Sequence, residues 1–284
     1  MGCVQEADTS ILHFAFSILH YQGWVILMDR KNEYIAVFDS GVGGISVLRE
    51  LRKELPNERF LYFGDSANAP YGDRSVEEVQ ALTLAAARML MGRGVKALVI
   101  ACNTATAAAI ELLRKPYPDA IIIGIEPAVK LAAGHFPHGR IGVMATQVTL
   151  KLERFDDLVH RFDDTALVER IPAPGLVKLI EAGKADSAET EALLTRILSP
   201  WKGKLNALVL GCTHYPFVKK TVARILGEQT ELLDGSLGTA RETRRRLSEA
   251  GLLRDGEGQV IIEDSAPGGE IIDLAWYLLE QPEV

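Results

Sequence analysis

Two stretches of this sequence bring a thiol to the same local position. KALVIACNTAT (96–106) and NALVLGCTHYP (206–216) share a frame in which an apolar run ends, one residue later, in a cysteine followed by polar side chains. Cys102 is followed by Asn103 and Thr104, and Cys212 by Thr213 and His214. One such cysteine alone reads as a small buried hydrophobe, because free cysteine is among the most buried residue types. Two at matched exits point to chemistry. A thiol whose ordinary pKa is about 8.5 can act as a base when ionised and as an acid when protonated. Opposed across a cleft, two thiols could take a proton from one face of a carbon and return one to the other. That is racemisation without a covalent intermediate. The alternative for Cys212 is a nucleophile activated by His214. Structural zinc is disfavoured, since no second thiol or imidazole stands at ligand spacing from either motif.

Other candidates surround the two cysteines. DSGVGG (39–44) lies between an apolar run and a helix-period segment, the layout of a phosphate-binding turn. Its glycines do not form GxGxxG, however, and Asp39 would repel a pyrophosphate. Asp39 is better suited to a cationic group or to steering a thiol, with Ser40 and the loop N–H groups holding a carboxylate. It could also simply cap the following helix. NAPYG (68–72) is a turn by its proline and glycine, and local sequence does not decide whether Tyr71 touches substrate or only closes the core. His214 is the histidine best placed to tune the chemistry of Cys212. Glu181 reads as an ordinary exposed helix residue.

The elements that position these groups follow from hydrophobic patterning. YIAVF (34–38), RFLYFG (59–64), KALVIA (96–101), AIIIGI (120–125), RIGVMA (140–145), ALVLG (207–211), TELLD (230–234) and QVIIED (259–264) have strand length and are largely apolar. Amphipathic segments such as SVEEVQALTLAAARMLM separate most of them. Unbroken apolar strands alternating with helices predict an α/β fold with mostly parallel sheets covered on both faces. Ligands in such sheets bind beyond the carboxyl ends of the strands, where Asp39, Asp65, Cys102, Glu126, Thr146 and Cys212 fall. The cysteine echo predicts two pseudo-symmetric doubly wound domains with the site in the cleft between them. A helix starting just after each thiol would point its N–H groups at the sulfur.

The chain as a whole narrows the classes. It has 284 residues, a formal net charge of −7 and no dense basic stripe, so no nucleic-acid partner is expected. The cluster Arg241, Arg244, Arg245 and Arg246 reads as a solvated helix face. Three cysteines without a CxxC pair fit a reducing cytosol. The apolar segment 11–28 is preceded by Glu6 and Asp8 instead of basic residues, has no small-residue cleavage site and contains His13 and His20. Residues 1–27 are therefore read as an extension or a mis-called start, with a membrane anchor as the lesser alternative.

DSGVGG, YFGDSANAPYG, ACNTATA and GCTHYP, in this order and spacing, closely resemble glutamate racemase of the aspartate/glutamate racemase superfamily, from Tyr34 to the C-terminus. The resemblance implies a cofactor-independent, metal-free cytoplasmic enzyme, often a homodimer, that interconverts L- and D-glutamate for peptidoglycan synthesis. It implies a first α/β domain over 28–127 plus 236–284 and a second over 128–235. By the same resemblance Cys102 serves the D face, assisted by Asp39, and Cys212 the L face, assisted by His214 with Glu181 behind it. The implied substrate-binding residues are Asp39, Ser40, Tyr71, Gly72, Asn103, Thr104, Thr146, Thr149, Thr213 and His214. The stretch APGLVKLIEAG departs from the family pattern, with Ala173 and Lys178 where a cysteine and a proline are common. The competing readings are an aspartate or other amino-acid racemase, an NAD-dependent oxidoreductase and a non-catalytic amino-acid-binding protein.

Overall fold

The computed structural model describes residues 30–281. The proposed extension over 1–27, Cys3 included, lies outside the described residues. Among the described residues, nine strands form two sheets in which every pairing is parallel. The first sheet is built from β1 (Ile35–Asp39), β2 (Arg59–Gly64), β3 (Ala97–Ile100), β4 (Ile121–Gly124) and β9 (Gln259–Asp264), in the order β4-β3-β1-β2-β9. The second contains β5 (Gly139–Ala145), β6 (Ala166–Pro172), β7 (Ala207–Leu210) and β8 (Glu231–Asp234), in the order β6-β5-β7-β8. Apart from β9, the two orders are the same: the second strand of each set lies outside the first, and the third and fourth follow on the other side. Each sheet therefore has one point where the winding reverses, between β1 and β3 and between β5 and β7. Crevices at such points are where open α/β sheets bind ligands. Cys102 follows β3 and Cys212 follows β7, so the sequence echo is a true topological equivalence.

The central strands are largely apolar because helices cover both faces. Every residue of β1, β3 and β7 is buried. One hydrophobic core runs from the first sheet (Val37, Tyr62, Val99) to the second (Met144, Leu208, Tyr215) and includes Cys212. Cys102 belongs to the core on the other face of the first sheet, with Phe38, Tyr71 and Ile100. The helices begin where their sequences supply caps. Ser75 and Glu78 form a reciprocal capping box at the start of Val76–Met91, and Ser187 accepts the Thr190 N–H at the start of Ala188–Leu198. The arginine-rich stretch lies on the helix Ser236–Glu249, where Arg241 and Arg244 reach Glu54, and Arg245 pairs with Glu242 and Glu249.

Two features differ from the sequence reading. β6 was not among the expected strands. Its sequence, ALVERIP, carries Glu169 and Arg170 because this edge strand is exposed over much of its length, so no apolar run marks it. The helix expected directly after Cys212 is also displaced. Thr213 and His214 lead into a single 3-10 turn over Tyr215–Val218, and the helix starts only at Lys219. Pro216 sits in that turn and has no N–H to donate.

At the amino-terminal side of the first sheet, a buried ion pair joins distant segments. Lys96 Nζ lies 2.5 Å from Glu58 Oε2 and also donates to the carbonyls of Lys31 and Leu252, while Glu58 Oε1 accepts the Arg254 N–H. Both charged side chains are almost fully enclosed. Removing one partner leaves the other as an uncompensated buried charge. Lys96→Met is expected to lower the unfolding free energy by about 3–5 kcal/mol, with Lys96→Met/Glu58→Gln less damaging than the single change. Urea titration of the three proteins checks the order.

Candidate active site

The carboxyl edges of the two sheets face each other, and the sequence-predicted residues converge between them. Cys102 is the N-cap of the helix Asn103–Arg114, and its sulfur accepts the Ala105 N–H at 3.4 Å. Here the helix N-terminus does point at the thiol, as expected. The Cys102 thiol donates to Ser40 Oγ at 3.5 Å, and Ser40 Oγ in turn lies 3.5 Å from Asp39 Oδ1. Across the site, Cys212 Sγ is 3.6 Å from His214 Nδ1, and His214 Nε2 is 2.5 Å from Glu181 Oε1. Each sulfur thus ends a short chain of polar groups with a carboxylate behind it: Cys102–Ser40–Asp39 and Cys212–His214–Glu181. The Ser40–Asp39 step, between two oxygens, is at the limit of a hydrogen bond and open to tightening around a bound ligand.

Each carboxylate is held from the opposite sheet. Asp39, at the end of β1, accepts the Thr213 hydroxyl on Oδ2 at 2.9 Å. Glu181 belongs to the helix Leu176–Glu181 of the second sheet, and its Oε1 accepts the Val42 N–H at 2.9 Å. Ser46 Oγ adds a bond to the Thr213 carbonyl. Glu181, which looked like an ordinary surface residue, is thereby only 14% exposed at its side chain. Its role could not be seen from its own helix, because both partners are more than 30 residues away in sequence.

The glycine loop is explained by close approach. A side chain on Gly41 would run into the Glu181 carboxylate, and one on Gly43 into the His214 ring and Thr213 hydroxyl. Two of the loop N–H groups are already engaged within the protein: Gly41 N–H with Asp39, and Val42 N–H with Glu181. Tyr62, which the sequence reading did not single out, donates to the Gly41 carbonyl and supports the loop from below.

The remaining candidates fall into three groups. Tyr71 is buried, and its hydroxyl donates to Asp65 Oδ2 at 2.7 Å. Asp65 also accepts from Asn68 and from Ser265, so it anchors the turn that carries Tyr71 and Gly72 to the end of β9. Gly72 packs against Thr146. Thr104, Thr146 and Thr149 form a closed triangle of hydroxyls with edges of 3.1, 3.0 and 2.9 Å. Asn103 is buried, and its Oδ1 has no hydrogen-bond partner. Glu126, another polar strand exit, lies apart from this cluster and pairs with Arg154 at the surface.

The two sulfurs differ electrostatically. Burial pushes the Cys102 thiol up to about 12, with the nearby Asp39 charge acting in the same direction. Burial alone would lower the His214 pKa, but its contacts with Cys212 and Glu181 outweigh that and raise it well above the usual histidine value. Cys212 thus faces an imidazolium while Cys102 is held as a neutral thiol. Burial also raises Asp39 to about 6, against the opposing pull of His214 and Thr213.

The profile of the Asp/Glu/Hydantoin racemase family matches residues 43–243. The chain belongs to this racemase family. A glutamate racemase of Clostridium botulinum is 44% identical over 256 residues, covering 89% of this chain and 99% of that protein. Among solved structures, a glutamate racemase isoform from Bacillus anthracis superposes with a TM-score of 0.81 at 32% identity, covering 88% of this chain and 95% of its own. The glutamate racemase of Francisella tularensis, solved in complex with D-glutamate, superposes with a TM-score of 0.78 at 29% identity, covering 88% and 95%. These relationships make the chain a racemase and bear out the two-sheet α/β architecture. Among the described residues no helix is long and apolar enough to cross a membrane.

The racemase site carries a measurable stability penalty. Asp39 has a folded-state pKa of about 6 against an ordinary 3.8. Between those values the folded state binds more protons than the unfolded one, so this residue's contribution falls as pH rises from about 4 to 6. Asp39→Asn keeps the shape and removes the ionisation. Relative to wild type it is expected to gain up to roughly 3 kcal/mol of stability between pH 4 and pH 7.5 while losing activity. Paired denaturant titrations at the two pH values test this.

Proposed function

We propose that this racemase interconverts L- and D-glutamate by a two-base mechanism, with Cys212 serving the L enantiomer and Cys102 the D enantiomer. The observation that carries the reading is the pair of matched relays, Cys102–Ser40–Asp39 and Cys212–His214–Glu181, at equivalent strand exits of opposed sheets. The glutamate specificity is supported by the relatives' identity across almost the whole described chain. Asp39, His214 and Glu181 act with the two thiols. Ser40, Tyr71, Gly72, Asn103, Thr104, Thr146, Thr149 and Thr213 contribute to substrate binding with Asp39 and His214. Because the Tyr71 hydroxyl is committed to Asp65, that residue contributes its ring and backbone. The orphaned Asn103 Oδ1 is suited to accept an N–H from the substrate ammonium. We further propose domains over 28–127 plus 236–284 and over 128–235, a homodimer, and a cytoplasmic role supplying D-glutamate for peptidoglycan.

In the L-to-D direction, Cys212 takes the α-proton while the His214 imidazolium, braced by Glu181, balances the charge on sulfur. The neutral Cys102 thiol delivers its proton to the opposite face, and Ser40 and Asp39 provide the path by which it is reprotonated. The D-to-L direction uses the same groups with roles exchanged. Since the α-proton is only weakly acidic, the carbanion-like transition state needs preorganised donors in a site closed to water. Cys102 and Cys212 are both under 8% exposed, consistent with that requirement.

Mutation should separate the two half-reactions. Cys102→Ser and Cys212→Ser are each expected to lower racemisation by roughly 10²–10⁴-fold or more. In deuterated water, Cys102→Ser retains α-deuterium exchange into L-glutamate without inversion, and Cys212→Ser retains exchange into D-glutamate. Circular dichroism read together with proton NMR follows both processes without added cofactor. Full turnover in either variant would eliminate the two-base mechanism. A wild-type protein active on aspartate but not glutamate would move the substrate assignment within the family.

A further inference from the structure

The helix Leu176–Glu181 is short, six residues, and is bounded by two glycines in the left-handed region, Gly175 at φ 84° and Gly183 at φ 69°. Glycine adopts this conformation without the penalty other residues incur, so both ends of the helix can serve as pivots. Two side chains on this helix, nearly one turn apart, reach across to the first sheet. Glu181 accepts the Val42 N–H, inside the site. Lys178 pairs with Asp73 at 2.8 Å, outside it. Asp73 directly follows Tyr71 and Gly72 in the turn that packs on Thr146. The Lys178–Asp73 pair is therefore a bridge from the segment carrying Glu181 to the turn carrying two substrate-site residues. Both partners are more than half exposed at the side chain, 63% and 52%, so the bridge lies at the surface, outside the buried relays.

We infer that Lys178 and Asp73 are a positioning pair for the racemase reaction: their ion pair closes the Leu176–Glu181 helix over the site and seats Glu181 on His214. When the pair parts, the outer side of the helix loosens about its glycine ends while Leu176 and Ile180 stay packed in the core, and Glu181 is held less firmly by Val42. Glu181 is then seated less firmly on His214, so the rim contact and the readiness of Cys212 are linked through one element. The relation to substrate turnover rests on the glutamate racemase reading; the bridge itself does not.

Exposed pairs contribute little to global stability, and the expected effect lies in the closed fraction, not in folding. At low ionic strength, Lys178→Ala and Asp73→Ala should each raise KM for glutamate by roughly two- to fivefold with kcat retained. Lys178→Arg and the exchange Lys178→Asp/Asp73→Lys should return KM toward wild type. High salt should bring wild type to the level of the single variants. Amide hydrogen exchange of the full-length protein without substrate should show faster exchange over 176–183 in the single variants and slow exchange regained in the charge-exchanged protein. Unchanged KM at low salt in the single variants, or a charge exchange no better than either one, overturns the positioning role. Unchanged amide exchange overturns the bridge. A wild-type protein that does not turn over glutamate would remove the functional reading, and the exchange comparison would still decide the bridge on its own.

Discussion

Two buried carboxylates, each held by a donor from the opposite sheet, are the constraint on which the site depends. Asp39 stands behind Cys102 but is fixed by Thr213, the residue next to Cys212. Glu181 stands behind His214 and Cys212 but is fixed by Val42, from the loop that begins at Asp39. A buried carboxylate without a partner is strongly disfavoured, so neither relay is satisfied until the two sheets meet in register. Assembly of the cleft and assembly of the acid–base chemistry are thus one event. The glycine loop is the steric counterpart of this arrangement, because its bare backbone leaves room for Glu181, His214 and Thr213 to approach.

The cross-bracing also accounts for an asymmetry within a nearly symmetric fold. Both thiols leave equivalent strands, yet one relay runs through serine and the other through histidine. Serine carries no charge, and burial beside Asp39 keeps Cys102 protonated. Histidine can hold a proton as a cation, so Cys212 has a countercharge at hand. The proposed two-base mechanism needs one base and one acid at the same moment, and two identical environments would leave that choice undetermined. Mirror-image substrates nevertheless have equal free energy in water, so this asymmetry cannot favour one product at equilibrium. It sets which protonation state of the free enzyme prevails, and therefore how each direction divides between binding and turnover.

The skeleton of the candidate site was legible in the sequence because its parts are local. Strand-length apolar runs ending in Asp39, Cys102 and Cys212 are visible in single windows of about ten residues, and the repeated frame around the cysteines reflects a genuine equivalence of β3 and β7. What escaped was either amphipathic or non-local. β6 is an edge strand exposed over much of its length and has no apolar run. Glu181 gains its meaning from Val42 and His214, which no pattern within LVKLIE can reveal. The resemblance of the surrounding motifs singled it out where its own residues did not. In the loop DSGVGG the Gly41 and Val42 N–H groups bind carboxylates of the protein itself, a use that the loop's own residues could not reveal where the partner is the distant Glu181.

The same contrast explains why a site this enclosed can still admit substrate. Contacts deep in the cleft, such as Asp39–Thr213, are short, buried and far from screening ions, and they favour one closed geometry. The contact at the rim, Lys178–Asp73, is exposed and individually weak. A gate made from the strong class would hold glutamate out or trap its enantiomer, since either step would require breaking buried hydrogen bonds without replacement. Loosening the weak contact costs little free energy and leaves Leu176 and Ile180 in the core, so the rim adjusts while the buried bonds persist. Lys178 therefore lies on a helix that carries both kinds of contact, with Glu181 on its inner side and the exchangeable ion pair on its outer side.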